Sequence, residues 1–140
     1  MRKIAILAFA TQLFAGGFWL QLGNPEASPE ARKTGAVFTI KAVGCHDPAT
    51  AQVTATAIGM VNGRRQSIPL TLAKLPGAGM FALSQQWPKE GRWVIELTGR
   101  NGEQFTNALV AAGPDGVDRL HAKLDMKPFG ERDVAAMLDE

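Results

Sequence analysis

Hydrophobic and polar side chains alternate along most of the chain after residue 35, which is the pattern of β-strands that bury one face. The alternation begins in Ala36–Val43, is broken by the loop residues Gly44 to Pro48, and returns in Gln52–Val61. The pair Asn62-Gly63 then predicts a two-residue hairpin turn. Alternating segments continue to residue 126, and we predict strands there too: 67–73, 80–87, 93–98, 105–111 and 119–126.

Turn signals separate these seven predicted strands at intervals of about 8–12 residues, the spacing typical of an antiparallel sandwich or barrel. No long helical pattern interrupts them. A short helix is predicted within Gly130–Glu140, with Val134, Met137 and Leu138 on one side. The sequence therefore predicts an all-β, seven-stranded antiparallel domain over residues 36–127, followed by a tail or short helix at 128–140. The choice between sandwich and barrel stays open.

The first residues have the three parts of a secretory signal: the basic end Met1-Arg2-Lys3, an apolar run from Ile4 to Leu22, and a polar, turn-prone exit. We predict a hydrophobic signal or anchor helix within residues 1–27 and a linker at 28–35. Small residues suited to cleavage occur at Ala15-Gly16-Gly17, and a second possible cut lies near Ala27.

An uncleaved anchor is the alternative, because residues 4–22 come close to the ~20 residues that a membrane-crossing helix needs. The run would then tether the domain to the membrane. In both cases the predicted location of the domain is extracytoplasmic, either periplasmic or secreted.

Charge and motif content narrow the function classes. The formal net charge is +2 over 140 residues, so no strongly basic surface points to nucleic acid. A single cysteine excludes an internal disulfide. The chain lacks the phosphate-loop, dinucleotide-binding, zinc-protease and nucleophile-elbow motifs. These observations favour a non-catalytic binding module without a cofactor, whose expected partner is another protein of the cell envelope.

The pair Cys45-His46 is the sharpest candidate for chemistry. A thiolate beside an imidazole could bind copper or zinc, with Met60 and His121 completing the site. Adjacent residues of an extended chain point to opposite sides, so a shared metal ion requires the loop to bend. In the alternative, Cys45 is a small packed group at a strand end and His46 caps the loop. A periplasmic metal-handling domain is thus a second hypothesis.

Three further residues are candidates for partner binding. Arg64 and Arg65 follow the Asn62-Gly63 turn and could meet an anionic partner, although a solvated turn exit is the favoured interpretation because two charges make little field. Trp93 lies in phase with neighbouring core positions, which predicts that it is buried. Trp87 precedes a proline at a strand end, so we expect it to be partly exposed and available for docking.

The stretch from Trp87 to Leu97, WPKEGRWVIEL, carries a glycine turn followed by a tryptophan in an alternating strand. This arrangement resembles the "G-x-W" strand-turn-strand segment of small extracytoplasmic immunoglobulin-like domains, of which the YtkA-like and FixH-like groups are examples. The resemblance implies an immunoglobulin-like β-sandwich outside the cytoplasm, in groups sometimes linked to copper handling or oxidase assembly. A His/Met-rich metal cluster is lacking in this chain, so the resemblance carries over the fold alone.

Overall fold

The architecture comes from a computed structural model, which describes residues 17–44 and 47–139. The predicted signal core at Ile4–Phe14 and the Cys45-His46 pair lie outside these residues. Two short α-helices, α1 (Pro29–Lys33) and α2 (Glu131–Leu138), flank the strands. The described residues form nine strands: β1 (Trp19–Gly23), β2 (Ala36–Val43), β3 (Gln52–Val61), β4 (Arg64–Leu70), β5 (Ala73–Lys74), β6 (Met80–Ser84), β7 (Trp93–Asn101), β8 (Gln104–Gly113) and β9 (Gly116–Asp125).

The strands form two antiparallel sheets that pack face to face. One sheet has the order β1-β2-β6-β5, and the other has the order β4-β3-β7-β8-β9. The prediction of a mostly β, antiparallel fold is therefore confirmed, with a sandwich as the architecture. The predicted strand count of seven is wrong: β1 and β5 are the two additional strands.

The core lies between the two sheets and consists of the alternate residues that sequence periodicity places on their inner faces. Phe38 and Ile40 of the first sheet and Ile95 and Leu97 of the second are fully buried. Trp93 is 2% exposed in the same cluster, as predicted. Gly59 makes room for it, since a Cβ at that position would lie 2.5 Å from the indole ring. A side chain there would overpack the core.

The hairpin between β3 and β4 forms at the predicted turn. Asn62 has φ 52° and Gly63 has φ 74°. Positive φ at both central positions is the signature of the type I′ turn, whose twist matches that of the strands it joins. The bounds of β2 and β3 coincide with those predicted from alternation.

The N-terminal part of the described chain differs most from expectation. Trp19–Leu22, assigned above to the end of the signal or anchor, lie in β1 and pair with β2. Phe18 and Leu20 are 4% and 1% exposed in the core. The predicted linker at 28–35 contains α1, which Ser28 caps by accepting a hydrogen bond from the Ala31 amide at 3.2 Å.

Each helix packs on part of the outer face of one sheet. Ala31 of α1 packs on Ala82 of the first sheet. Val134, Met137 and Leu138 of α2 pack on Val94 and Leu109 of the second sheet. Helix α2 lies within the segment where a short C-terminal helix is predicted, and the same three residues form its buried side. Among the described residues, no helix has the length and apolar character needed to cross a membrane.

Candidate binding surface

One side of the sandwich, where edge strands β1 and β9 face each other, carries an open groove of about 440 Å³. Strand β1 forms one wall, and β9 forms the other. The lining residues are Trp19, Leu20, Gln21, Leu22, Val43, Arg119, Leu120, Ala122 and Leu124. Most of them are apolar, so the groove offers a hydrophobic surface to whatever occupies it.

Exposed apolar side chains concentrate at this groove. Leu120 is 79% exposed, Leu124 is 53% exposed and Trp19 is 47% exposed. Met126, just beyond the end of β9, is also exposed. Isolated exposed apolar residues are normal on a protein surface, but a contiguous group marks an interaction site.

An irregular β9 produces this exposure. Ala111 pairs with Asp118 and Leu109 pairs with Lys123, so two steps along β8 match five steps along β9. The extra residues form a bulge that turns Leu120 outward. Val117 before the bulge and Ala122 within it still pack against the core.

The groove walls are suited to binding and poorly suited to acid–base chemistry. Their polar side chains are those of Gln21 and Arg119. An amide does not titrate and a guanidinium stays protonated, whereas general acid–base catalysis needs a group that exchanges a proton near the working pH. The arrangement can hold an apolar segment.

The predicted metal ligands that the structure describes do not meet. Met60 lies on β3 and His121 lies on β9, with β7 and β8 between them. Three strand spacings separate the two strands by about 14 Å. The His121 Nδ1 atom instead lies 2.9 Å from Asp118 Oδ1 on the surface. Within residues 17–44 and 47–139, no cluster of three His, Cys, Asp or Glu side chains could hold a metal ion.

The described flank of the Cys45-His46 loop is held by a buried amide. Asn101 is 4% exposed, and its Nδ2 donates to the Asp47 carbonyl at 3.1 Å. Its Oδ1 accepts from the Thr50 hydroxyl at 2.8 Å. A satisfied amide of this kind fixes loop position. The loop therefore has an ordered base, and metal binding by Cys45 and His46 stays a prediction.

The predicted partner-binding residues lie away from the groove. Trp87 is 6% exposed within the core, so the expectation that it is partly exposed is wrong. Trp87 lies three residues beyond the end of β6, and its indole packs into the core between the sheets. Arg65 forms a bidentate ion pair with Glu131 of α2, and Arg64 lies beside it at the exposed start of β4.

Sequence reasoning overlooked the two walls of the groove, although a signal was present in each. Trp19, Leu20, Gln21 and Leu22 alternate in exposure along β1, but they lie within a longer apolar run that resembles a leader. Leu120, Ala122 and Leu124 were assigned to one face of a strand. That Leu120 and Leu124 stay uncovered depends on the neighbouring sheet, which alternation does not reveal.

Comparison with known proteins adds no relative: no protein-family model, curated protein or solved structure matches this chain.

Proposed function

We propose that this protein is an exported, non-catalytic binding module of immunoglobulin-like architecture that holds another cell-envelope protein at its β1–β9 groove. The observation that carries the proposal is the uncovered apolar groove itself. Helix α1 packs on part of the outer face of one sheet, helix α2 packs on part of the outer face of the other, and the inner faces cover each other. Apolar surface is left open between β1 and β9.

The start of β1 supports export with cleavage early in the leader. The strand begins at Trp19, which Phe18 separates from the small residues Ala15-Gly16-Gly17. A cut there leaves the sandwich complete, whereas a cut after Ala27 removes β1 together with the buried Phe18 and Leu20.

The same strand disfavours a membrane anchor. If Trp19 to Leu22 stay in β1, the apolar run that remains from Ile4 to Gly17 is about 21 Å long as a helix, shorter than the ~30 Å hydrocarbon layer. We therefore propose that the leader acts as a signal and that the domain works outside the cytoplasm.

Photo-crosslinking in intact cells tests this function. A benzophenone amino acid at Leu120 places the probe in the groove, and the same probe at Met60, an exposed side chain on β3, serves as the control. We expect an adduct with an envelope protein from position 120 and none above background from position 60. Leu124→Asp should reduce the yield of the adduct, because it places a charge in an apolar groove. Equal labelling from both positions would contradict the proposal.

A further inference from the structure

The groove lies along the edge of β1, where an additional strand could pair with it. It contacts four consecutive residues of β1, Trp19 to Leu22, whose side chains alternate between the two faces of the sheet. A cavity that touches both faces of a strand runs along the edge of that strand. Since β1 is the outermost strand of its sheet, this edge carries backbone N–H and C=O groups that no other strand of the described chain pairs.

The other three edge strands of the two sheets carry features that discourage pairing. Strand β5 has only two residues, and one is Lys74. Strand β4 contains Pro69 together with Arg64 and Arg65. Strand β9 is bulged and carries several charges. Short length, proline, charge and bulges are the devices by which proteins protect sheet edges.

Strand β1 has none of these devices. Its five residues, WLQLG, contain no charge and no proline, and they pair with β2 in continuous register from Trp19 to Gly23. An uncharged, regular edge next to an apolar groove accepts an added strand, with backbone hydrogen bonds giving affinity and side-chain pockets giving specificity.

The sequence of β1 is compatible with itself in antiparallel pairing. With Gln21 on a two-fold axis, Trp19 lies opposite Gly23 of the second copy, and Leu20 lies opposite Leu22 of the second copy. The large ring thus meets the one residue without a side chain, and on the groove side the partly buried Leu22 of each copy lies beside the buried Leu20 of the other. No like charges approach, whereas pairing of β4 with its own copy would bring arginines together.

We infer that a second copy of this chain occupies the groove, and that two β1 strands join the four-stranded sheets of two molecules into one eight-stranded sheet. The interface is isologous, as expected for a closed two-fold dimer. The groove-side leucines of each β1 then lie beside Leu120 and Leu124 of the other molecule. This inference rests on the proposed function, because it takes the groove as the binding surface and names its partner.

Cysteine pairing tests the register directly. In a Cys45→Ser background, we expect Gln21→Cys in the exported protein to form an intermolecular disulfide. Cα atoms of directly opposed antiparallel residues lie about 4.5–5.5 Å apart, within the range that a disulfide spans. Gln66→Cys is the matched control, since Gln66 is also an exposed glutamine on an edge strand. Oxidation of Gln21→Cys should be at least about tenfold faster, because pairing raises the effective thiol concentration.

Sedimentation equilibrium of the same exported protein gives the second readout. The unmodified protein should sediment as a dimer, and Gln21→Lys should raise the dissociation constant at least about tenfold by placing like charges opposite each other. Gln66→Lys should leave the dissociation constant unchanged. Equal cross-linking at positions 21 and 66, or a dimer that survives Gln21→Lys, overturns the inference.

The two proposals fail in different ways. A monomer whose Leu120 probe still captures a different envelope protein overturns the dimer and leaves the proposed function standing. A monomer whose Leu120 probe captures nothing overturns both.

Discussion

The two lateral sides of the sandwich differ in whether side chains protect their exposed strand edges. At the β4–β5 side, Arg65 reaches α2 and forms its ion pair with Glu131. The Gln86 side chain forms two hydrogen bonds with the backbone of Thr71. Its Oε1 accepts from the Thr71 amide at 2.8 Å, and its Nε2 donates to the Thr71 carbonyl at 2.9 Å. An amide side chain with both bonds made takes the place that a neighbouring strand would otherwise fill.

At the β1–β9 side the groove is lined by one amide and one guanidinium, those of Gln21 and Arg119, among mostly apolar side chains. The edge of β1 is uncharged and regular, and its side chains open onto exposed Leu120 and Leu124. The contrast shows that this chain has the means to protect a sheet edge and leaves β1 without them. The open side is therefore better explained as a surface for association than as a defect of packing.

The largest expected effect comes from Leu20, the buried side chain that packs β1 into the core. Leu20→Ala removes a fully buried side chain from β1, and we expect it to lower the free energy of unfolding by about 2–5 kcal/mol. Urea denaturation of the exported protein, at matched concentration, measures the change. Met60→Ala is the control: its side chain is about half exposed and lies outside the groove, so the loss should stay within about 1 kcal/mol. If Leu20→Ala has no larger effect than Met60→Ala, β1 does not belong to the folded domain.

A smaller effect is expected at the protected side. Gln86→Ala removes both hydrogen bonds to Thr71 and should lower the free energy of unfolding by about 1 kcal/mol, because water partly replaces partners at an exposed site. Gln66→Ala, at an exposed position of β4, should change it by less than about 0.5 kcal/mol. Thermal or urea unfolding distinguishes the two, and equal stabilities would show that the Gln86 contacts do not close this edge.

The central strands were predictable because local and tertiary requirements agree there. Strand β3 alternates between more and less buried positions, β2 departs from alternation mainly at buried Thr39, and Asn62-Gly63 has the conformational freedom that its turn requires. Strand β5 is too short to carry a period. Helix α1 was predictable in principle from Ser28 and Pro29, an N-cap residue followed by proline at the first helical position, but its five residues resemble a linker in composition.

The groove could not be predicted, because it depends on which strands become neighbours. Alternation placed Leu120 and Leu124 on one face of a strand without showing that β9 bulges at Leu120 or that both side chains stay uncovered. Trp87 illustrates the converse: its position beside Pro88 favoured exposure, and only the packing of the two sheets buries it. Alternation also gave no means to separate Trp19–Leu22 from the hydrophobic leader, since both are apolar.

The most direct test of the account is the intact mass and N-terminal sequence of the protein recovered from outside the cytoplasm. The open edge, the groove and the dimer all require that β1 is present in the mature chain. We expect the chain to begin between Gly16 and Phe18, after cleavage at the small residues that precede β1. A mature chain that begins at Ser28 would have no β1, and it would contradict the account.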